Sequence, residues 1–472
     1  MPGPSNEIPL TVRSYQSRSL PFSQQRLVNM YAEAGNDGTK SRVLLTGTPG
    51  TKDFATAGTG PVRGMEVMDG VLYAVSGTIL YSISDVGTAS SLGVIPGTDT
   101  VTLANNGTQL CVVAGGNGYI YNKDTLAFTQ ITDPDFSGAD SVTYIDGYFI
   151  FNDGSKIFSS DLLDGTSYQA LNFANADYDP DTALRVFADH SELWIFGPNS
   201  IEPWYNIGGS SFPFAPRQGT AIETGLLSKN AVVKQDNAIF WFGIDARGGR
   251  VVYRSNGYNA VRISTHALEK KWDEFANPEN AVMFSYSQEG HAFVILVLPA
   301  SGTYVYDAAT NEWHERETFG DNDWRMRNFA LAYNKRLVGD SKTGKIFELD
   351  LDTFTENAGT IERIVMTNTI ASPNQSFMRH NRLRVDFDGG VGTQTGAGAN
   401  PNAALSWVND GQRDFTNEKL SPLGKIGEYS NRTQWKMLGK ARSRVYKLRV
   451  TAPVQVNIKG MYLWARPGAG NG

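Results

Sequence analysis

Short apolar runs and glycine turns alternate along the chain between about residue 62 and residue 349. In each unit, a run rich in β-branched and aromatic residues is followed by a Gly or Asn turn and then by a second run that carries Tyr or Phe. The first unit combines residues 71–75, a turn at Gly77 and residues 79–83. Such a pattern predicts a β-hairpin, because strands favour β-branched and aromatic side chains and tight turns favour Gly and Asn.

Units of this kind recur about every 40 residues, which is the period typical of a four-stranded propeller blade. The first run of each unit is almost entirely apolar, as expected of a strand buried between neighbouring blades, and the second alternates, as expected further out. The other six units combine residues 110–113 with 119–121, 148–151 with 157–158, 193–196 with 204–205, 239–242 with 251–253, 293–298 with 304–306, and 336–338 with 346–347.

One segment interrupts this rhythm between the fifth and sixth units. Leu268, Trp272 and Phe275 lie at i, i+4 and i+7, the spacing of one helix face, and Ser264 or Thr265 precedes them as an N-cap. The sequence therefore predicts a short amphipathic helix. Two roles stay open for it: contact with another protein or subunit, and packing on the edge of its own propeller.

The rhythm changes after Glu356. Alternating segments at residues 362–370, 381–387, 444–450 and 454–464 predict a separate small β domain of the sandwich type, with 389–400 as a mobile loop. Residues 1–60 carry five prolines and little periodicity, which is typical of an extended arm. The predicted fold is all-β: an N-terminal extended arm at residues 1–60, a β-propeller at 61–355 and a C-terminal β-sandwich-like domain at 356–472.

Charge is distributed unevenly between the two predicted domains. The formal net charge is −6, and residues 375–472 carry 15 Lys and Arg against 6 Asp and Glu, which leaves +9 there and −15 for residues 1–374. This asymmetry favours docking of one end onto an oppositely charged neighbour: its own propeller, an adjacent copy or nucleic acid. The other interpretation is that the opposite charges of the two domains simply offset each other within one subunit.

The sequence shows no motif that brings catalytic or metal-binding residues together. No G-x-S-x-G elbow, P-loop or dinucleotide-binding glycine motif is present. The single cysteine, Cys111, lies in an apolar run and is predicted to be a buried, unreactive thiol. No catalytic, cofactor-binding or metal-binding residue is assigned, since the histidines show no metal-ligand spacing at positions 190, 266, 291, 314 and 380.

Two charged clusters have a structural and a functional interpretation. The acidic stretch 177–181 has Asp at alternate positions, but it lacks the central Gly and distal Glu of a calcium loop, which favours an interblade loop. In the basic strand 442–449, Arg444 and Lys447 lie an odd number of residues apart and so point to opposite sheet faces. Solvated charges or salt bridges are therefore favoured over DNA contact, also for the arginines at 379, 382 and 384.

Neither a secretory signal nor a membrane span is predicted. Residues 1–10 lack a basic cluster followed by an apolar core. The longest apolar run, residues 292–298, is far shorter than the roughly 20 residues that cross a bilayer.

Several short motifs follow one another along nearly the whole chain. They are N-M-Y at 29–31, G-P-V-R-G-M at 60–65, I-D-G-Y at 145–148, W-Y-N at 204–206, I-S-T at 263–265, N-R-L at 381–383, G-G-V-G at 389–392 and G-E-Y at 427–429. In this order and extent they resemble the packaged-DNA stabilisation (tail hub or tail nozzle) family of short-tailed bacteriophages, the podoviruses. Gln412 departs from the family, which tends to a glycine there, and this affects only the geometry of that turn.

The resemblance implies a non-enzymatic virion protein of the phage tail, without cofactor. It implies a six-fold ring, a homohexamer, attached to the portal and adaptor proteins of the head-to-tail connector, with a tail needle or tip and tail fibre or spike proteins completing the tail. Such a hub or nozzle extends the DNA channel, retains packaged DNA and conducts it during ejection, with no sequence-specific binding. Mostly acidic channel walls would keep the duplex from adhering, because binding through Lys and Arg grows with each phosphate neutralised.

Two other functions stay open beside this one. A carbohydrate-binding or carbohydrate-cleaving β-propeller is compatible with the abundant Trp and Tyr, and it requires a carboxylate pair or an aromatic platform at a propeller mouth. A cytosolic scaffold of the kelch type has the right blade period but lacks the characteristic repeat signatures.

Overall fold

A computed structural model describes residues 6–19, 22–35, 42–176, 178, 182–209, 211–372 and 374–467. Strands dominate this part of the chain and form a β-propeller and a C-terminal β-sandwich. The predicted all-β fold with these two kinds of domain is therefore confirmed. No helix within the described ranges has the length and apolar character that a bilayer crossing requires.

The strands that precede the first blade are shared between the two domains. Their bounds are β1 (Asn6–Ile8), β2 (Tyr15–Gln16), β3 (Gln24–Val28), β4 (Met30–Ala34), β5 (Val43–Gly47) and β6 (Gly50–Thr56).

Six blades follow whose own strands are consecutive in sequence and pair antiparallel with one another, counted over the described residues. The first three are β7 (Val62–Met68), β8 (Val71–Ser76), β9 (Ile79–Ile83) and β10 (Ala89–Val94); β11 (Thr102–Asn105), β12 (Gln109–Ala114), β13 (Asn117–Asn122) and β14 (Ala127–Gln130); and β15 (Ser141–Ile145), β16 (Tyr148–Asp153), β17 (Lys156–Asp161) and β18 (Asp164–Asn175).

The next three blades carry the predicted helix, α1 (His266–Asp273), between the fifth and the sixth. Their strands are β19 (Arg185–Asp189), β20 (Glu192–Phe196), β21 (Ile201–Asn206) and β22 (Phe214–Pro216); β23 (Gly225–Leu226), β24 (Val232–Gln235), β25 (Ala238–Ile244), β26 (Arg250–Asn256) and β27 (Asn259–Arg262); and β28 (Val282–Gln288), β29 (His291–Leu298), β30 (Gly302–Asp307) and β31 (Glu312–Glu315).

A seventh blade closes the ring with a strand from the beginning of the chain. It contains β32 (Met326–Ala332), β33 (Lys335–Asp340) and β34 (Lys345–Asp350), and β6 pairs antiparallel with β34 as its outer strand. The seven predicted hairpins are confirmed as β8–β9, β12–β13, β16–β17, β20–β21, β25–β26, β29–β30 and β33–β34.

In six of the seven blades, the turns between the innermost strand and the next share one geometry. Both turn residues have positive φ in Asp69-Gly70, Asp146-Gly147, His190-Ser191, Asp236-Asn237, Glu289-Gly290 and Tyr333-Asn334. This is the type I′ arrangement, whose twist matches that of the flanking strands. These turns set the register of the innermost hairpins and gather their side chains at one end of the propeller, the turn end.

Separate apolar clusters lie between adjacent blades. Tyr73 of the first blade packs with Val112 and Tyr121 of the second, and Cys111 packs with Phe149 and its neighbours of the third. Each cluster seals one blade interface, since aromatic side chains bury large apolar areas. Cys111 is fully buried, and burial raises the pKa of its thiol well above the usual range.

The sandwich consists of two facing sheets around one apolar core. After a hairpin of β35 (Thr355–Glu356) and β36 (Gly359–Thr360), its strands are β37 (Arg363–Met366), β38 (Ile370–Ala371), β39 (Met378–Phe387), β40 (Asn402–Asn409), β41 (Lys419–Pro422), β42 (Gln434–Lys436), β43 (Lys440–Ala441), β44 (Ser443–Val450) and β45 (Asn457–Pro467). The four predicted segments correspond to β37, β39, β44 and β45.

The N-terminal strands join the two domains. β3 pairs in parallel with β31 of the sixth blade and antiparallel with β37, so that this blade and one sandwich sheet form a continuous 11-stranded sheet. β4 and β5 extend the other sandwich sheet, where β5 pairs with β45. This differs from the extended arm predicted for residues 1–60. Short runs whose partners lie hundreds of residues away leave no periodic signal, although Leu27 and Leu45 fill the sandwich core.

Helix α1 packs on its own propeller. Trp272 is fully buried against Phe242, Tyr304 and Trp313, so the helix fills a gap between the fifth and sixth blades. Thr265 occupies the predicted N-cap position without a side-chain cap hydrogen bond.

Candidate functional site

The junction between the domains is organised around Arg26 on β3. Its Nη2 donates to Oε2 of Glu315 at 2.6 Å and to Oε1 of Glu317 at 2.6 Å. Lys271 of α1 lies 3.7 Å from Glu315. Burial alone would raise the pKa of Glu315, but Arg26 and Lys271 hold it at about 2. An ionised network thus ties β3, α1 and the end of the sixth blade together.

A second buried group of polar side chains lies beside this network. The guanidinium of Arg316 stands 3.6 Å from the centre of the Trp324 ring and donates to the Pro49 carbonyl at 2.8 Å. Trp324 Nε1 donates to Glu356 at 2.9 Å. These hydrogen bonds link the sixth blade, the seventh blade and the segment that enters the sandwich, while Arg316 Nε is buried without a partner among the described residues.

A cleft of about 800 Å³ opens at the turn end beside the fourth and fifth blades. Trp194 and Tyr258 are stacked in it, with ring centres 6.1 Å apart. Its carboxylates already have partners: Asp189 accepts from His190 at 2.7 Å, and Glu192 accepts from Tyr258 at 2.6 Å. The cleft offers an aromatic surface with these two carboxylates hydrogen-bonded, and a third, Asp236, lies 3.7 Å from Arg254.

The arginines of the basic strand β44 make their contacts within the sandwich domain. Arg444 is buried, donates to the Leu438 carbonyl at 2.7 Å and lies 5.2 Å from the centre of the Trp407 ring. Arg449 pairs with Glu418 at 2.6 Å and Glu362 at 3.1 Å. These contacts favour salt bridges over DNA contact. The buried position of Arg444 has a sequence signal, since residues 444, 446, 448 and 450 share one face and three of them are apolar or aromatic.

The histidines lie in separate environments. His291 contacts Asp307 at 2.7 Å, and His380 contacts the Tyr446 hydroxyl at 2.7 Å. Burial lowers the pKa of His314 and of His380 to about 3, so both are neutral. Within the described ranges, no group of three His, Cys, Asp or Glu side chains is placed to hold a metal ion. The acidic stretch 177–181 lies outside the described residues except for Tyr178.

These observations define a two-domain β protein, a closed β-propeller that shares its N-terminal strands with a β-sandwich. The family model described as "Bacteriophage P22 Gp10, beta-propeller" matches residues 6–354, and "Bacteriophage P22 Gp10, beta-sandwich" matches residues 362–465. The chain therefore belongs to the bacteriophage P22 Gp10 family of packaged-DNA stabilisation proteins, which confirms the resemblance found in the sequence. Membership assigns it a structural role in a phage.

Solved structures similar to this chain include a chain of the "Crystal Structure of Mitotic Checkpoint Complex", with 14% identity and a TM-score of 0.41 over 67% of this chain and 95% of that one. The N-terminal domain of Nup159 has 10% identity and a TM-score of 0.38, covering 67% of this chain and 98% of that one. Scores this low carry no information about function. The search of curated proteins finds no match.

Proposed function

We propose that this chain is a subunit of the tail hub or nozzle of a short-tailed phage. Six copies form a ring below the portal and adaptor, extend the DNA channel, retain the packaged DNA and conduct it during ejection. The observation that carries the proposal is the family match, which spans both domains in the same order. A tail needle or tip and fibre or spike proteins complete the assembly.

The junction between the domains supports a load-resisting role. A wall around pressurised DNA has to keep its domains from hinging, and interfaces between domains are otherwise mobile by default. Here β3 pairs with a strand on each side within one continuous sheet, and the guanidinium of Arg26 donates hydrogen bonds to two carboxylates. Bending at the junction would break both sets of contacts at once.

The charge distribution supports assembly of one copy on the next. Residues 101–176 of the second and third blades carry 8 Asp and 2 Lys, whereas residues 411–442 of the sandwich carry 7 Lys and Arg against 3 Asp and Glu. Exposed apolar side chains accompany both patches: Leu171 and Phe173 on the propeller, Tyr429 and Met437 on the sandwich. A heterologous contact between unlike patches generates a closed ring when its rotation allows.

Electron microscopy of the purified chain, mixed with the portal and adaptor of the same phage, tests the proposal. We expect a six-fold ring bound coaxially beneath the adaptor. The matched variants are Arg432→Glu with Lys436→Glu on the exposed sandwich edge, which should abolish the ring, and Arg247→Glu on an exposed propeller loop, which should not. Particles that stay single under all conditions and degrade polysaccharide would instead support the carbohydrate alternative.

A further inference from the structure

The solvent side of one sandwich sheet carries cations that lie directly opposite one another in two cross-strand rows. Arg379 of β39 lies opposite Lys440 of β43, and Arg382 of β39 lies opposite Lys436 of β42. Opposed residues of antiparallel strands share one side of a sheet, and Leu383, the residue after Arg382, is fully buried in the sandwich core. The four cations therefore point away from the core. Three of them are exposed and Arg382 is half-buried, and we call the four the basic face.

The cations of the basic face are not neutralised by their neighbours. Within the described ranges, none of the four forms an ion pair with a carboxylate. By contrast, Arg384 on the same strand lies 3.7 Å from Asp386, and Arg449 on the other sheet lies 2.6 Å from Glu418. Like charges directly opposite each other destabilise a sheet. This face therefore carries an energetic cost that a bound anion would remove.

The nearest acidic side chains along the sheet lie outside these two rows. Glu7 of β1 and Asp386 of β39 lie one and two rows further along the same side of the sheet. At the other end, Asp410 accepts the backbone N–H of Arg442 at 2.8 Å. Its charge is thus held beside a cation that is not part of the basic face. Among the described residues, the two rows themselves bear only positive charge.

Aromatic side chains beneath the basic face hold two of its cations in place. The guanidinium of Arg382 lies 3.7 Å from the centre of the Trp464 ring, and the ammonium of Lys440 lies 5.0 Å from the centre of the Phe377 ring. Arg442 packs on the same Phe377 ring at 4.7 Å. Such cation–π contacts position charged groups without neutralising them. The cations also cover these aromatic rings, both of which belong to half-buried residues.

The composition of the face distinguishes between classes of partner. The core of a protein–protein interface is apolar and depleted in charged residues. Proteins that hold single-stranded nucleic acid stack its bases on accessible aromatic rings. Here the centre of the face is charged, and Arg382 covers the Trp464 ring. A ligand with closely spaced negative charges and no need for stacking fits best, which describes the phosphate backbone of a duplex.

We propose that the basic face binds the phosphate backbone of duplex DNA without reading its sequence. This role rests on the proposed function, because the tail channel supplies the DNA, and it places DNA retention in the sandwich. The sequence favours solvated charges or salt bridges for Arg379 and Arg382, but neither has a salt bridge among the described residues. Lys436 also belongs to the edge proposed for ring assembly, so the test uses Arg379 and Lys440.

Fluorescence anisotropy of the full chain with a short labelled DNA duplex tests this at several salt concentrations. We expect binding that falls steeply as salt rises and differs little between sequences, and weaker binding of a single strand, whose charge density is lower. Arg379→Gln with Lys440→Gln should weaken duplex binding by about tenfold or more and reduce the slope of log K against log salt by about 2. Arg379→Lys keeps the charge and should retain the wild-type affinity.

Lys419→Gln with Lys447→Gln is the matched control. It removes the same charge from β41 and β44 of the other sandwich sheet and should leave duplex binding unchanged. Thermal unfolding separates loss of the site from loss of the fold. Arg379→Gln with Lys440→Gln should be at least as stable as the wild type, because two opposed like charges are gone.

Equal losses of duplex affinity in the two double variants would show that binding follows net charge alone, which would overturn the proposal. Absence of salt-dependent duplex binding by the wild type would overturn it as well, and so would tighter binding of the single strand, because that requires base stacking. Ring formation beneath the adaptor is a separate readout. A normal ring without DNA binding contradicts the basic face alone, whereas DNA binding without a ring contradicts only the proposed function.

Discussion

The propeller and the sandwich are assembled from contacts of very different range along the chain. Six blades use strands that follow one another directly, each joined by a short turn, within the described residues. The sandwich sheets instead combine β1, β3, β4 and β5 with strands that begin at Arg363 or later. Each blade thus forms mainly from strands within one short segment of the chain. The sandwich, by contrast, is incomplete until the N-terminal strands have paired with it.

Because of this difference, the structure of both domains depends on a few N-terminal residues. β3 contributes Leu27 to the sandwich core and Arg26 to the junction, while β6, which begins at Gly50, closes the propeller. Loop-closure entropy opposes such distant pairings, so strong contacts have to hold them. Changes at β3 should therefore affect both domains, and changes within one blade should stay local.

The largest effect is expected from Arg26→Ala. The substitution leaves the buried Glu315 with only Lys271, 3.7 Å away, and the half-buried Glu317 without its cation, because Arg26 donates to both. Removal of one partner from a buried ionic network costs about 3–5 kcal/mol. Denaturant unfolding, followed by tryptophan fluorescence and far-UV circular dichroism, should show a lower midpoint for the propeller and sandwich signals together.

Arg449→Ala is the matched control for that comparison. Arg449 also bonds two carboxylates, Glu418 and Glu362, but these are 35% and 26% exposed, whereas Glu315 beside Arg26 is 6% exposed. Ion pairs of this kind contribute about 1 kcal/mol or less. If Arg26→Ala were no more destabilising than Arg449→Ala, the N-terminal strand would not hold the two domains together through its charge network.

An intermediate effect is expected from the pH dependence of the two domains. In the propeller, burial raises the pKa of Glu66 to about 7, despite a hydrogen bond from Asn105 at 2.8 Å. The folded state then binds a proton more tightly than the unfolded state, so stability falls as pH rises from about 4.5 to about 7. In the sandwich, the pKa of His380 is lowered to about 3, and stability falls as pH decreases below 6.5.

Glu66→Gln isolates the propeller contribution. It should gain stability relative to the wild type as pH rises, by about 1–3 kcal/mol between pH 5 and pH 8. Chemical unfolding at these two pH values, compared with His380→Asn, measures both signs in one set of experiments. A constant difference between Glu66→Gln and wild type across this range would show that Glu66 is not protonated in the folded propeller.

The propeller can be predicted from the sequence because its turns are local. The pairing of the N-terminal strands cannot, because their partners lie far along the chain. Residues such as Gly77 and Gly154 mark a hairpin within a dozen positions, so the repeat was visible. The pairing of β3 with the sandwich could not be predicted, because Leu27 and Val365 become neighbours only in the folded chain. The sequence gives no signal either that Arg185 and Arg327 line one cavity, because Leu184 and Val186 flank Arg185 as in any blade strand and the cavity exists only once the ring has closed.

The smallest effect is expected at a single innermost turn. Gly70 has a φ of +75° in the Asp69-Gly70 turn, and a Cβ there would meet no atom within 4 Å. Gly70→Ala therefore introduces backbone strain without a clash, at about 1 kcal/mol. Asp69→Asn is the control, since Asn tolerates positive φ and the substitution removes only an exposed ion pair with Lys123, so stability should fall by about 0.5 kcal/mol or less. Thermal unfolding with probes in each domain should show the loss in the propeller alone, because the turn belongs to one self-contained blade. A loss that spread to the sandwich, or that approached the cost of Arg26→Ala, would mean that the blades are as dependent on distant contacts as the sandwich is.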